Sequence, residues 1–525
     1  MHNPETMGWK LTFNWSTKTK LDLIALSGAI PASLAFQMSG GIYGWCVYVL
    51  AFYAFVEASP YDCFRRALLV GIGAGFINFG WMLFAGERFT GESVFYSLAI
   101  VLAITCVLAL YLGLIGLTYG LLKRKMLFVP DSSFSLVNAV ILASIFVLYD
   151  FLMIHWANGF ALVLYVSYIS VATDLYAIQP ASIFGPLAIS FIVVLINGML
   201  AHILYHRVWK LIIFPISVLV IYYAFGFFIL RGYENQKNIL EPFTAAIISE
   251  NVAPEFKWSD QNGNALIERL FHLTKNAVSL KPRLMVWSET VIPWNFRYDD
   301  PFLLELSKLT SIAGITHLVG MNTDYNEKTY YNSVYCLEPK FKITGRYDKR
   351  LALNLLEKPF LGIVLPFYND NGFQIIEGVN DAPLTTAVGA AGVLLCNEST
   401  IPSLAYRSVS KGAQFLVNPG NDGWFSETYI AKQHFYHARL RAVETRRDVI
   451  INNNSGYVGL VRANGEIAKM EKKSTGFVSI VEVRPSNYLS YAVRFPYAFV
   501  MMIAAILLVL CAVPAKWLRH CLGSR

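Results

Sequence analysis

Residues 392–398 read Gly-Val-Leu-Leu-Cys-Asn-Glu, a short apolar run that ends in a thiol and a carboxylate. An apolar run of this length is consistent with a buried strand. Polar groups at the ends of buried strands are typical of active sites in layered α/β folds. Cys396 and Glu398 are therefore candidate active-site residues, although a single cysteine after a strand is more often a core thiol.

Two earlier stretches carry further candidate residues. Residues 286–290 read Val-Trp-Ser-Glu-Thr, a hydrophobic strand that ends in Glu289, and residues 345–350 carry Lys349, with Glu357 a little further on. Taken singly, a Glu or Lys at the end of a strand is usually exposed to solvent or part of a surface ion pair. Together with the thiol they form a usable catalytic set, because they supply a nucleophile, a carboxylate base and a cation for an oxyanion.

Other catalytic chemistries lack their motifs in this chain. HExxH, GxSxG and a phosphate-binding glycine loop are all absent. His202 and His206 have the i, i+4 spacing of a metal pair but lack a third ligand. His434 and His437 lie on a predicted helix, where we expect them to pack or to form hydrogen bonds. The sequence therefore predicts neither a metal ion nor another cofactor.

Composition divides the chain into membrane and soluble parts. Of its 525 residues, 55% are hydrophobic and 15% charged, whereas soluble domains carry roughly 25% charged residues. Apolar runs close to the roughly 20 residues that span a bilayer lie near 21–38, 42–58, 67–85, 95–121, 137–157, 184–204, 210–230 and 495–513. We therefore predict a membrane domain of seven helices over 1–235 and a last helix with a tail over 489–525.

Residues 236–488 have ordinary globular composition, in which short β-rich runs alternate with helical stretches. The runs 284–287, 393–396 and 415–418 are examples, and they predict an α/β domain. The net charge of +8 does not indicate nucleic-acid binding, since no basic run interleaved with aromatics accompanies it. The seven cysteines contain no CxxC pair, so a disulfide scaffold is not expected.

The charged loops between the apolar runs predict the orientation of the chain. The basic residues cluster at alternate loops: Lys18, Lys20, Arg65, Arg66, Lys123, Arg124, Lys125, His206, Arg207, Lys210, Lys516, Arg519 and Arg525. By the positive-inside rule both termini are cytoplasmic and the 236–488 domain lies outside. The aromatic stretch 158–182 is either an interfacial or re-entrant element or an ordinary loop.

The order Glu289, Lys349, Cys396 resembles that of the nitrilase (carbon–nitrogen hydrolase) superfamily. Supporting stretches are Tyr331-Asn332-Ser333, Asn421-Asp422-Gly423-Trp424-Phe425, Gln433-His434, Arg441-Ala442-Val443-Glu444 and Asn454-Ser455-Gly456. The membrane layout, with Asn251-Val252-Ala253-Pro254 followed by Lys257-Trp258, is similar to the apolipoprotein N-acyltransferase family over nearly the whole chain.

The resemblance implies a four-layer αββα sandwich on a membrane bundle of about eight spans. It implies Glu289 as general base, Cys396 as nucleophile and Lys349 as oxyanion stabiliser, supported by Glu357 and Glu398. Residues implied to line the substrate cleft are Trp258, Asn397 and Trp424. The implied substrates are a phospholipid acyl donor and a lipoprotein whose N-terminal cysteine carries diacylglycerol. We expect a monomer in the bacterial inner membrane that contacts membrane lipids and no nucleic acid.

The chain departs from the family at three places. Ser288 stands where the family has proline, Asn397 where it has an aromatic residue, and Asn354-Leu355-Leu356-Glu357 where it has Pro-Phe-Gly-Glu. A membrane-tethered amidase, or an acyltransferase acting on another amine, would use the same three residues and stays open. A non-enzymatic receptor with a dead catalytic domain is disfavoured, because all three residues are present.

The predicted orientation can be tested with reporter fusions. A reporter fused near residue 300 should be active outside the cytoplasm, and one fused after Arg525 should be active inside, because the basic loops hold both termini on the cytoplasmic side. Activity of both reporters on the same side of the membrane would contradict the eight-span arrangement.

Overall fold

A computed structural model describes residues 16–38, 40–84, 94–125, 131–156, 159–160, 167–235, 240–253, 260–292, 294–363, 374–425 and 427–512. Within these ranges the helices are α1 (Thr17–Ser27), α2 (Ala29–Met38), α3 (Val49–Tyr53), α4 (Pro60–Phe79), α5 (Val94–Lys125), α6 (Asp131–Trp156), α7 (Ala181–Phe184), α8 (Leu187–His206), α9 (Ile213–Glu234), α10 (Asp260–Ser279), α11 (Pro301–Thr310), α12 (Pro402–Ser410), α13 (Tyr429–Thr445), α14 (Tyr491–Arg494) and α15 (Ala498–Ala512).

Five helical segments among the described residues are long and apolar enough to cross a membrane. They are Thr17–Met38, Val94–Lys123, Leu136–Trp156, Leu187–His206 and Trp209–Glu234. The last apolar helix, α15, has 15 described residues. These helices confirm a polytopic helical membrane part, and the count of eight spans stays a prediction.

Two predicted spans take a different form. The stretch 42–58 is not one helix: a 3-10 turn at Ile42–Trp45 is followed by the five-residue α3. Residues 67–79 of the predicted span 67–85 belong to α4, which begins seven residues earlier because Ser59 caps it and Pro60 occupies its first turn. Arg65 and Arg66 lie within this helix and pair with Asp22, which is why its start is hidden from a search for apolar runs.

Thirteen strands among the described residues form two sheets in the second half of the chain. They are β1 (Phe243–Ser249), β2 (Leu284–Val286), β3 (Thr316–Asn326), β4 (Thr329–Glu338), β5 (Lys342–Asp348), β6 (Gln374–Ile375), β7 (Leu384–Thr386), β8 (Gly389–Val393), β9 (Phe415–Asn421), β10 (Val449–Asn454), β11 (Val458–Val461), β12 (Ile467–Glu471) and β13 (Phe477–Val483). One sheet has the order β13-β1-β2-β3-β4-β5, with β6 beside β4. The other has the order β12-β11-β10-β9-β8-β7.

The two sheets pack face to face, and helices cover both outer faces. Between the sheets, Ala245 and Val286 of the first meet Val393 and Val417 of the second in one apolar core. Helices α10 and α11 cover the outer face of the first sheet, and α12 and α13 cover that of the second. This arrangement confirms the predicted four-layer αββα sandwich, since both sheet faces are buried.

Helix α13 lies between the second sheet and the membrane helices. Its residues Phe435, Ala438 and Ala442 pack on the sheet, while Leu440 and Val443 belong to the apolar core of the membrane part. One helix therefore contributes to both cores, and the position of the second sheet is set directly by the membrane bundle.

Within the predicted stretch 158–182 the structure describes residues 159–160 and 167–182, and most of these are buried. Tyr168, Ile169 and Ala172 are fully buried. Arg439 of α13 donates to the carbonyl of Ala172 over 2.8 Å, and Arg446, just after α13, donates to Gln179 Oε1 over 3.0 Å. Buried irregular backbone of this kind is tolerated because its polar groups are hydrogen-bonded within the protein.

Candidate active site

Glu289 follows β2 and is held by the neighbouring strands. The amide of Asn332 in β4 donates to Glu289 Oε1 over 2.7 Å. The loop Ser288–Thr290 passes so close to Gly320 of β3 that a Cβ there would lie 2.2 Å from the Ser288 carbonyl. Only glycine allows this approach, so the position of the carboxylate is built into the first sheet.

Lys349 follows β5 and is fully buried. Its Nζ lies 3.3 Å from Glu289 Oε1 and 2.5 Å from Glu357 Oε1. Burial disfavours the ammonium, but the two carboxylates outweigh burial and raise the pKa of Lys349 well above its usual range. The lysine is therefore a permanent cation between two acids that come from different parts of the chain.

Glu357 lies on the loop after Lys349. Its Oε2 accepts from the backbone N–H of Leu353 over 2.7 Å. Burial and the nearby charge of Glu289 raise the pKa of Glu357, although the Lys349 ammonium opposes this. The same loop contacts the membrane-proximal residues, because Asn354 N–H donates to the Gly159 carbonyl over 2.7 Å.

Cys396 follows β8, which ends at Val393 rather than running to residue 396 as the sequence predicted. The cysteine opens a 3-10 turn, Cys396–Thr400, and its φ of +53° places it in the left-handed region. A residue other than glycine in this region costs on the order of 1–3 kcal/mol and persists only where its surroundings hold it. Such strain is often found at active sites.

Cys396 is 9% exposed. Its thiol lies close enough to Glu289 and Lys349 for their charges to act on it. Burial, and then the negative charge of Glu289, raise the pKa of this thiol well above its usual range, while Lys349 acts in the opposite direction. The thiol is consequently protonated at neutral pH. An attack by sulfur therefore needs a base that removes the proton during the reaction.

Glu398 is a buried staple for the loops that carry the other groups. Its Oε1 accepts from Arg350 N–H over 2.6 Å, and its Oε2 accepts from Leu395 N–H and the Tyr347 hydroxyl, each over 2.7 Å. Burial raises the pKa of Glu398 despite these donors. Asn397 contacts the same loop, since its Nδ2 donates to the Leu351 carbonyl over 3.2 Å.

Three residues, Asn418, His434 and Asp422, contact the site although the sequence analysis assigned them no catalytic or supporting role. Asn418 donates to the Cys396 carbonyl over 3.0 Å. The ring of His434 lies 2.8 Å from the same oxygen and 2.9 Å from Asp422 Oδ1. Asp422 and His434 stand in stretches that resemble the family, but nothing in their spacing indicates that they meet behind the cysteine.

Some predicted site residues cannot be placed. Trp258 lies outside the described residues, and so does the side chain of Trp424. Of the remaining predicted residues, the structure brings Glu289, Lys349, Cys396 and Glu357 together and puts Glu398 and Asn397 beside them. Among the described residues, no group of three His, Cys, Asp or Glu side chains is placed to hold a metal ion.

Replacing Glu398 tests its role as a staple. Glu398→Ala should lower the free energy of unfolding by at least about 3 kcal/mol, because each buried group left unpaired costs about 1–3 kcal/mol. Glu427→Ala is the control: Glu427 is exposed, and a surface change is usually within about 0.5 kcal/mol. Urea unfolding of the detergent-solubilised protein measures both, and equal values for the two variants would contradict this role.

Two family models match consecutive parts of the chain. The model of the apolipoprotein N-acyltransferase N-terminal domain matches residues 28–199, and that of carbon-nitrogen hydrolase matches residues 244–488. Among solved structures, a carbon-nitrogen hydrolase from Helicobacter pylori G27 is 18% identical with a TM-score of 0.37, covering 50% of this chain and 94% of that one. The two family models follow each other along the chain in the same order as the membrane part and the sandwich.

Several curated relatives match both parts at once. The apolipoprotein N-acyltransferase of Methylococcus capsulatus is 25% identical over 85% of this chain and 86% of its own length. That of Shewanella oneidensis is 24% identical over 88% and 90%. The protein of that name from Geobacter metallireducens is 27% identical over 61% of this chain and 64% of its own. With both domain models matched in this order, the chain belongs to the apolipoprotein N-acyltransferase family.

Proposed function

We propose that this protein moves an acyl chain from a membrane phospholipid to the α-amine of a lipoprotein whose N-terminal cysteine carries diacylglycerol. The observation that carries the proposal is the buried set of Cys396, Glu289 and Lys349 in a sandwich whose α13 packs into the membrane helices. The ester bond of a phospholipid lies at the membrane surface, so a thiol for this reaction has to be held there. Relatives named apolipoprotein N-acyltransferase support the same assignment.

The first half-reaction forms a thioester on Cys396. Glu289 takes the thiol proton while sulfur attacks the acyl carbonyl of the phospholipid. The tetrahedral intermediate collapses, the carbon–oxygen ester bond breaks, and the lysophospholipid alkoxide leaves with the proton from Glu289. A base is required because the thiol is protonated in the resting enzyme.

Lys349 stabilises the oxyanion of this intermediate. An ammonium has three N–H donors, and carboxylates take two of them, so we assign the third to the oxyanion. A backbone N–H just after Cys396 is the second donor that we assign. Removing one such donor typically costs about 3–4 kcal/mol of transition-state stabilisation.

The second half-reaction transfers the acyl chain to the amine. The α-amine attacks the thioester carbonyl and gives a proton to Glu289, and the thiolate that leaves takes this proton back. Glu289 thus serves as the base in both halves. The low exposure of Cys396 keeps water from the thioester while it waits for the amine.

We further propose that the sandwich faces away from the cytoplasm in the bacterial inner membrane. Helix α4 has 20 residues and is therefore about 30 Å long. Arg65 and Arg66 lie near its start, whereas Asn78 near its end accepts a 2.9 Å hydrogen bond from Tyr429 of α13. The basic end is remote from the sandwich, as the positive-inside rule requires. Because one chain carries the whole catalytic set, we propose that it acts as a monomer.

Mass spectrometry of the full-length protein tests the covalent step. Mixed with phospholipid alone, the wild type should gain the mass of one acyl chain on Cys396, and hydroxylamine should remove it. Cys336→Ala is the matched control, because Cys336 is also buried but lies in β4, and it should acylate normally. Acyl transfer that persists in Cys396→Ala would rule out the thioester mechanism.

The acceptor is tested by discharging the acylated enzyme. A diacylglyceryl-cysteine peptide with a free α-amine should remove the acyl chain far faster than water does, and should gain it as an amide. The same peptide with a blocked amine is the control. Discharge at the same rate by water alone would instead indicate the membrane-tethered amidase.

A further inference from the structure

The carbonyl oxygen of Cys396 is held by several donors at once. His434 Nε2 lies 2.8 Å from it, Asn418 Nδ2 lies 3.0 Å from it, and the Ser399 hydroxyl lies 3.3 Å from it. Ser399 belongs to the same turn as the cysteine, but the other two come from α13 and β9. Two separate elements, α13 and β9, thus hold the strained left-handed backbone of Cys396 in place.

When Asp422 is ionised, the His434 ring donates to both of its acceptors only with a proton on each nitrogen. One nitrogen faces the Cys396 carbonyl and the other faces the Asp422 carboxylate at 2.9 Å, and both partners are acceptors. A neutral ring has a single N–H and would turn a lone pair toward one of these oxygens. With Asp422 ionised, this geometry favours the imidazolium form.

The charges around the ring favour the same form. Burial disfavours the imidazolium, but Asp422 and the Cys396 carbonyl outweigh burial and raise the pKa of His434, with Glu289 contributing in the same direction. The amide of Asn453 in β10, 3.4 Å from Nδ1, is the uncharged neighbour. The imidazolium charge strengthens the hydrogen bond from the ring to the Cys396 carbonyl, and this bond weakens as the pH rises through the raised pKa of His434, because the ring then loses a proton.

We propose that His434, oriented by Asp422, is a positioning residue for acyl transfer: it clamps the Cys396 carbonyl and keeps the thiol beside Glu289 and Lys349. This inference rests on the proposed function and adds a residue to it. The preceding residue, Gln433, donates to the Phe36 carbonyl of α2 over 2.6 Å. The clamp therefore also ties the nucleophile to the membrane part of the chain.

Three variants of the full-length protein in detergent micelles separate this role from a merely structural one. His434→Leu removes the donor. His434→Gln keeps a neutral donor, since the glutamine Nε2 reaches the place of the ring Nε2, but it cannot titrate. His437→Gln is the matched control: His437 is buried one turn along α13 and packs on Tyr168 with ring centroids 5.9 Å apart.

The rate of acyl-Cys396 formation from phospholipid is measured between pH 6 and 10. His434→Leu should slow it by about 100-fold, the loss expected when a reacting group shifts by about 1 Å, with the half-saturating phospholipid concentration unchanged. His434→Gln should keep most of the neutral-pH rate. The wild type and His437→Gln should lose rate at alkaline pH, and His434→Gln should not, because Lys349 titrates above this range.

Two results would overturn this inference and leave the proposed function standing. One is a wild-type acylation rate in His434→Leu, and the other is an unchanged alkaline decline in His434→Gln. If His434→Leu does not fold, the pH profile of His434→Gln decides alone. A wild-type protein that forms no acyl-Cys396 overturns the proposed function, and the clamp with it.

Discussion

The buried ammonium of Lys349 is the group on which the rest of the site depends. A charge without solvent is tolerated only when it is paired and hydrogen-bonded, and here Glu289 and Glu357 provide the pairing at 3.3 and 2.5 Å. Removing one partner of such a pair costs about 3–5 kcal/mol. The loop after β2, the end of β5 and the loop that carries Glu357 are therefore bound to one position.

Helix α13 gives this site its relation to the membrane. Its His434 contacts the Cys396 carbonyl, and its Tyr429 and Gln433 donate to carbonyls of α4 and α2. Arg446 continues the contact at the other end of the helix through Gln179 and Ser182. A rigid element thus joins the thiol to the bundle, which suits a reaction whose acyl donor stays in the lipid layer.

The fold class and the main residues of the site could be predicted because strand ends and apolar runs are recognisable as local patterns in the sequence. Glu289 and Cys396 each follow an apolar run, whereas Lys349 follows a more polar strand and is identified by its place between them in the chain. The start of α4 was missed because Arg65 and Arg66 sit inside the helix and find Asp22 as a partner only in the folded chain. The clamp formed by Asp422 and His434 was missed for the same reason: residues twelve positions apart meet through the packing of α13 on the second sheet.

Glu398 shows where sequence reasoning reaches its limit. A carboxylate two residues after the cysteine was expected to position or tune the others, and its actual partners are the backbone N–H groups of Arg350 and Leu395. Which N–H groups a buried acid will bind depends on how two loops approach each other, and no local pattern records this. Trp258, which the family resemblance implies to line the substrate cleft, lies outside the described residues, so this role stays a prediction.

The pH dependence of thioester formation in Glu289→Gln tests the account most directly. If Glu289 removes the proton of a thiol that is otherwise held protonated, this variant should acylate about 10²- to 10⁴-fold more slowly than the wild type at neutral pH. Its rate should then climb about tenfold per pH unit as the thiolate fraction rises. A wild-type rate at neutral pH, or a slow rate that stays flat with pH, would contradict the assignment of Glu289 as the base.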